Sequence, residues 1–172
     1  MKIETERLYI RHFVNEDAST CFEGWGTDEH LGDFIMGYPM NMDQMNSFVN
    51  AMVKNTNAWV IVEKESGVCI GYISFDIPYQ ELRIGEIGYV IGEKWHGKGY
   101  GTEAVKKMIS EYLSKDRLYL IEAKCNIDNK PSLNLLEKVG FIKDGVLRKR
   151  RIDKNTGKYR DLVVYSITTN DK

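Results

Sequence analysis

Apolar and polar positions alternate along RLYIRHF, residues 7–13, and predict a first strand, because side chains of an extended chain face opposite sides with a period of two. Asn15, Glu16 and Asp17 then read as a helix start, with Ala18, Cys21, Phe22 and Trp25 on one face. Residues 26–40 carry turn formers and no clean period, and Asp43 opens a second helix whose apolar stripe is Met45, Phe48, Val49, Met52 and Val53. From Ala58 the period changes. AWVIVE, the turn ESG and VCIGYISFDI make a hairpin pattern, and RIGEIGYVIGE adds a third consecutive strand, with antiparallel pairing expected. After Gly101, the spacing of Ala104, Val105, Met108, Ile109, Tyr112 and Leu113 predicts an amphipathic helix. LYLIEAKCN, residues 118–126, reads as another strand. PSLNLLEKVGF supplies a short helix with Pro131 in its first turn and Gly140 just past its end. FIKDGVLRKRRI and YRDLVVYSI flank the turn DKNTGK as a last hairpin. The expected order is β-α-α-β-β-β-α-β-α-β-β, a mixed α/β fold in a single domain, 1–172, with a central, mostly antiparallel sheet and flanking helices.

Charge and composition narrow the partners. With 24 Lys and Arg against 25 Asp and Glu, bulk charge points to neither nucleic acid nor a membrane. MKIETERLYIRHF is charged throughout, and no segment approaches the roughly 18 consecutive apolar residues of a spanning helix, so a cytoplasmic protein without a signal peptide is expected. Cys21, Cys69 and Cys125 are far apart and have no histidine at ligand spacing, which predicts packed reduced thiols and no metal site. Arg148, Lys149, Arg150 and Arg151 read as a soluble edge strand that discourages aggregation, with attraction of an acidic partner as the alternative.

Residues 95–108, WHGKGYGTEAVKKM, place three glycines on alternate positions directly before a helix. Glycine weakens regular elements, so such a cluster implies unusual dihedrals or close approach to a ligand. GEKWHGK, residues 92–98, matches the GxxxxGK part of a phosphate-binding loop, but Gly99 stands where a hydroxyl would ligate Mg²⁺. Gly97 and Gly99 also fit the first two glycines of a dinucleotide fingerprint, yet its third falls on Thr102 and the strands upstream are antiparallel in pattern. A third reading needs less: a strand, a glycine-rich turn and a helix N-terminus converge free N–H groups on one small volume, which suits a pyrophosphate. A plain solvated turn is the alternative.

HGKGYG resembles the R/Q-x-x-G-x-G/A signature of the GNAT superfamily of acyl-CoA N-acyltransferases. ETERLYIR, GEIGYVI and NIDNKPSLNLLEKVGF are similar, in the same order, to the branch containing the ribosomal-protein N-terminal acetyltransferases. The resemblance implies transfer of an acetyl group from acetyl-CoA, as co-substrate, to an amine by direct attack on the thioester. It implies a cradle made by the backbone of His96, Gly97, Lys98, Gly99, Tyr100, Gly101 and Thr102, with a phosphate-facing side chain at His96 that is shorter than the usual Arg or Gln. Lys98 either neutralises a phosphate or is simply solvated.

By the same resemblance the pantetheine arm pairs with Tyr89, Val90 and Ile91, and Asn129 bonds its amide. Glu86, on the face of that strand shared with Gly88 and Val90, is the nearest carboxylate to the thioester and the candidate base, directly or through a water; a structural ion pair is the alternative. Glu93 is a weaker candidate. Ser132 can donate to the departing thiolate, and helix capping is the alternative for both Ser132 and Asn129. Many relatives place a tyrosine acid where this chain has Leu136, which keeps open a non-catalytic acyl-CoA sensor. The amine acceptor is a protein N-terminus or a small molecule, for which Asp28, Glu29 and Asp33 offer a cation-friendly border, with an ordinary solvated loop as the alternative. Similar proteins are commonly dimers.

Overall fold

The first predicted strand is half of a hairpin. In this computed structural model, which describes residues 2–153 and 156–171, β1 (Lys2–Glu4) pairs antiparallel with β2 (Leu8–Arg11) ahead of α1 (Asp17–Cys21). β1 is three residues long, too short for its alternation to register. Glu16 makes no side-chain cap for α1; Asp17 turns back, and its carboxylate accepts from the Val14 amide at 2.8 Å and from two Arg11 N–H groups at 2.6 and 2.8 Å. The helix then widens into a π-turn over Phe22–Gly26 that still buries Trp25. At its centre, a Cβ on Gly24 would stand 1.9 Å from the carbonyl oxygen of Cys69, so only glycine fits.

α2 (Met42–Val53) begins one residue before Asp43, because Asn41 and Gln44 form a reciprocal capping box with bonds of 2.9 and 2.8 Å. There follow β3 (Ala58–Glu63), β4 (Cys69–Tyr79), β5 (Ile84–Ile91), α3 (Tyr100–Leu113), β6 (Leu120–Asn126), α4 (Lys130–Lys138), β7 (Ile142–Ile152) and β8 (Tyr159–Thr168). Of the turn DKNTGK, Lys154 and Asn155 lie outside the described residues. The fold is mixed α/β, and its eight-stranded sheet has the order β1-β2-β3-β4-β5-β6-β8-β7. β3 pairs antiparallel with β4, while β5 and β6 run parallel over Ile84–Glu86 and Leu120–Glu122. That register ends at Glu86, although β5 continues to Ile91.

Two compact units emerge from the contacts: Met1–Ser74 with Tyr89–Ala104, and Phe75–Gly88 with Val105–Lys172. The core of the first gathers Trp25, Tyr38, Met45, Val60 and Cys69 around Val90. Its aromatic rings meet edge-on or tilted, with Trp25 5.3 Å from Tyr72 and 5.5 Å from Phe48. In the second unit Phe75 stacks on Tyr112 at 3.8 Å, and Met108, Leu118 and Ile121 are fully buried. The apolar face predicted for α3, Ala104 to Leu113, is buried throughout. All three cysteines are buried free thiols. The basic run falls on β7, an exposed edge strand.

Candidate active site

The end of β5 delivers the chain to the glycine run. The Gly92 amide donates to the Ile70 carbonyl at 2.9 Å, and a one-turn 3₁₀ segment, Glu93–Trp95, follows. Asp28 anchors that segment: its carboxylate accepts from the Glu93 amide at 2.7 Å and from the His30 amide at 3.0 Å. The predicted acidic border thus has a structural member in Asp28. Glu93 lies 3.4 Å from the imidazole of His30.

Gly97 and Gly99 adopt left-handed conformations, with φ of 71° and 84°. Side chains reach that region only at a cost, which explains alternate glycines. α3 begins at Tyr100, two residues before Thr102, and Gly99 accepts its first bond, from the Glu103 amide at 3.0 Å. Among the described residues, the amides of Gly97, Lys98 and Gly99 meet no backbone acceptor. Left-handed residues followed by a helix N-terminus present successive N–H groups to one anion, with the positive end of a 14-residue helix behind them. A Cβ on Gly97 would meet nothing within 4 Å, so its requirement is conformational.

The His96 side chain, expected to face a phosphate, also contacts the end of β5. Its Nε2 lies 2.7 Å from the Ile91 carbonyl oxygen, so the ring donates back to the end of β5. The imidazole thereby ties the turn to the end of the strand. Lys98 extends over the Trp95 ring, 5.3 Å from its centroid, a cation–π contact at the surface.

Beside the turn lies a network that the sequence reading missed. Glu103, in the first turn of α3, accepts from the Thr5 hydroxyl at 2.6 Å, the Arg7 amide at 2.9 Å and Arg7 Nε at 2.7 Å. Arg7 Nη1 donates to the Lys98 carbonyl at 2.8 Å, and its guanidinium lies 4.4 Å from the centroid of the Tyr100 ring. Burial opposes ionisation of Glu103, but the bonds from Thr5 and Arg7 outweigh it and hold the carboxyl below its ordinary value. A depressed folded-state pKa gives stability that is complete above the unfolded value, about 4.3, and lost as pH falls through the folded one. Glu103→Gln is therefore expected to lose less stability than the parent as pH drops from about 5 to 3; acid-unfolding curves of equal steepness would remove this contribution.

The comparisons with known proteins come to the same place. Residues 7–142 match the acetyltransferase (GNAT) domain model. The chain belongs to the GNAT acetyltransferases. It is 32% identical to the uncharacterized N-acetyltransferase YoaA of Bacillus subtilis, over 96% of this chain and 95% of that one. It is 25% identical to the [ribosomal protein uS5]-alanine N-acetyltransferase of Escherichia coli, over 99% and 92%. The crystal structure of a GNAT-family acetyltransferase from Bacillus anthracis superimposes with a TM-score of 0.88 at 26% identity, covering 99% of both chains. As a GNAT N-acetyltransferase the protein transfers an acetyl group from acetyl-CoA to an amine.

Tyr89, Val90 and Ile91 end β5 in the first unit of this GNAT chain, while Glu86, Asn129, Ser132 and Leu136 belong to the second. Glu86 forms an ion pair with Lys124, 2.5 Å away on β6, and Glu122 lies 3.8 Å from the same ammonium. Glu86 raises the Lys124 pKa through that hydrogen bond. The group borders a cavity of about 160 Å³ with Asp76, Tyr79 and Leu82 among its other walls. Asn129 is the N-cap of α4, its side chain accepting from the Ser132 amide at 3.2 Å. Burial pushes the Cys125 thiol pKa up, against a smaller lowering from the neighbouring Ser132 hydroxyl. Leu136 is buried at 1% exposure, a core residue in the place where relatives carry a hydroxyl. No helix among the described residues is long and apolar enough to cross a membrane.

Proposed function

We propose that the chain acetylates a primary amine on a protein N-terminus or a small molecule, working in the cytoplasm, with the CoA pyrophosphate held by the backbone from His96 to Thr102. The observation that carries this is the pair of left-handed glycines, Gly97 and Gly99, whose amides and that of Lys98 meet no backbone acceptor among the described residues at the mouth of α3. Residues 1–172 are read as one acetyltransferase domain, because the divisions between the two units fall inside β4, β5 and α3. The relative acting on the alanine of uS5 favours an α-amine acceptor.

The fit extends along β5. Tyr89, Val90 and Ile91 offer a backbone edge to the pantetheine arm, and one of their N–H groups would polarise the acyl oxygen. Bound acetyl-CoA supplies a thioester open to attack by a neutral amine. The chain must therefore take the ammonium's proton, and Glu86, a carboxylate on the same strand β5, is proposed to do so through water. Asn129 and Ser132, beyond their helix-start bond, are assigned to the pantetheine amide and the departing sulfur. Glu86→Gln is expected to lower kcat by about 100-fold or more, whereas Lys124→Met lowers it far less. Equal, small losses in both would leave only a structural ion pair.

Acetyl-CoA at 100 times its Kd should raise the melting temperature by about 5–10 °C. Free thiol should then appear when peptides with unblocked N-termini or small amines are added. Stabilisation without thiol release across such a panel would instead favour an acyl-CoA sensor, which Leu136 had kept in view.

A further inference from the structure

Arg7 sits where a side chain can set the shape and the charge of the phosphate cradle at once. It comes from the turn between β1 and β2, far from the glycine run in sequence, yet it binds both sides of the entry to α3: the Lys98 carbonyl before it at 2.8 Å and the Glu103 carboxylate within it at 2.7 Å. Its guanidinium plane covers the Tyr100 ring, 4.4 Å from its centroid, so the first helical residue is also held by that contact. Nη2 comes within 3.4 Å of where a Cβ on Gly99 would be, which places the guanidinium against the central glycine of the turn.

Two physical needs meet there. A carbonyl at Lys98 that rotated inward would present an oxygen, not an N–H, to the anion; the bond from Nη1 keeps it turned away. A carboxylate in the first turn of α3 favours the helix dipole but repels a diphosphate; the fork of Arg7 against Glu103 neutralises it at short range. Thr5 completes the carboxylate's shell and fixes the β1–β2 turn to it. Lysine has no planar fork and cannot hold Glu103 and the Lys98 carbonyl together.

We propose that Arg7, held by Glu103 and Thr5, is the positioning residue of the diphosphate cradle, and that the segment ETERL serves affinity for the phosphorylated part of CoA. This rests on the assignment of the pyrophosphate to residues 96–102. Calorimetry on the full chain with coenzyme A and with pantetheine, which lacks the diphosphate, separates the two ideas without an acceptor. The parent should bind coenzyme A far more tightly than pantetheine. Arg7→Met should weaken coenzyme A by roughly tenfold or more and leave pantetheine unchanged, and Arg7→Lys should recover only part of the loss. Arg7→Met with Glu103→Gln should bind coenzyme A better than Arg7→Met alone, since the uncompensated carboxylate is gone. An unchanged coenzyme A affinity in Arg7→Met, or equal losses for both ligands, would overturn the role of Arg7 while the parent's preference stands. A parent that binds the two ligands equally would overturn the cradle itself. Should Arg7→Met fold poorly, Glu103→Gln alone serves, with a selective change in coenzyme A affinity supporting the network and none opposing it.

Discussion

Asp17→Ala is expected to destabilise the protein by about 3 kcal/mol, the low end of what removing one partner of a buried ion pair costs. Asp17 is 4% exposed, and its carboxylate serves two N–H groups of Arg11 and the amide of Val14, with the Cys69 thiol 3.8 Å away. Alanine leaves the Val14 amide and a partly buried guanidinium without that acceptor, and the desolvation already incurred is no longer offset. Arg11 retains some access to water, with 30% of its side chain exposed, which is why the lower figure is chosen. Against a typical total of roughly 5–15 kcal/mol, such a loss is large. It should appear as a fall of roughly 6–12 °C in melting temperature.

The pair variant Arg11→Met with Asp17→Leu should recover much of that loss, because an apolar pair of similar volume needs no hydrogen bonds. A single-variant loss below about 1 kcal/mol would show that water reaches this site and that the pair behaves as a surface bridge. The location gives the result a functional edge. Asp17 opens α1, whose continuation through Phe22–Gly26 buries Trp25 beside Val90.

What could be read from the sequence was whatever depends on near neighbours. The face of α3, the start of α4 at Asn129 and Pro131, and the hairpin from Ala58 follow from periods of 3.6 and 2 and from capping chemistry within a few residues. Gly97 and Gly99 were legible too, because alternate glycines before a helix are wasteful unless dihedrals or a ligand require them. The Arg7–Glu103 bond joins positions 96 residues apart, so neither residue's surroundings announce the other. ETERLYIR stood out only as a family landmark with no task. At His96 the resemblance supplies a residue type, whereas the rotamer that brings its ring to the Ile91 carbonyl depends on reach. The pairing of Glu86 with Lys124 was an open alternative for the same reason, since a strand's partner and register are set by the rest of the sheet.

Gly71→Ala is the substitution expected to damage stability and cofactor affinity together. A Cβ there would stand 2.0 Å from the Val90 carbonyl oxygen and 3.0 Å from the Ile91 Cα, all backbone, so no rotamer change relieves the clash. β4 must move away from the end of β5 by about 1 Å or more to restore ordinary contact, an overpacking strain of about 3 kcal/mol. That displacement falls on two of the three residues proposed to pair with pantetheine, and a misplacement of about 1 Å at a reacting group can cost about 100-fold in kcat/KM. Gly97→Ala provides the contrast: its Cβ meets open space and only the left-handed φ of 71° is penalised, roughly 1 kcal/mol. Gly71→Ala should therefore melt well below Gly97→Ala and respond less to acetyl-CoA, measured by thermal shift with and without the ligand. If the two variants melt alike, the approach of β4 to Val90 is loose enough to absorb a methyl group. The edge offered to pantetheine would then be set by β5 alone.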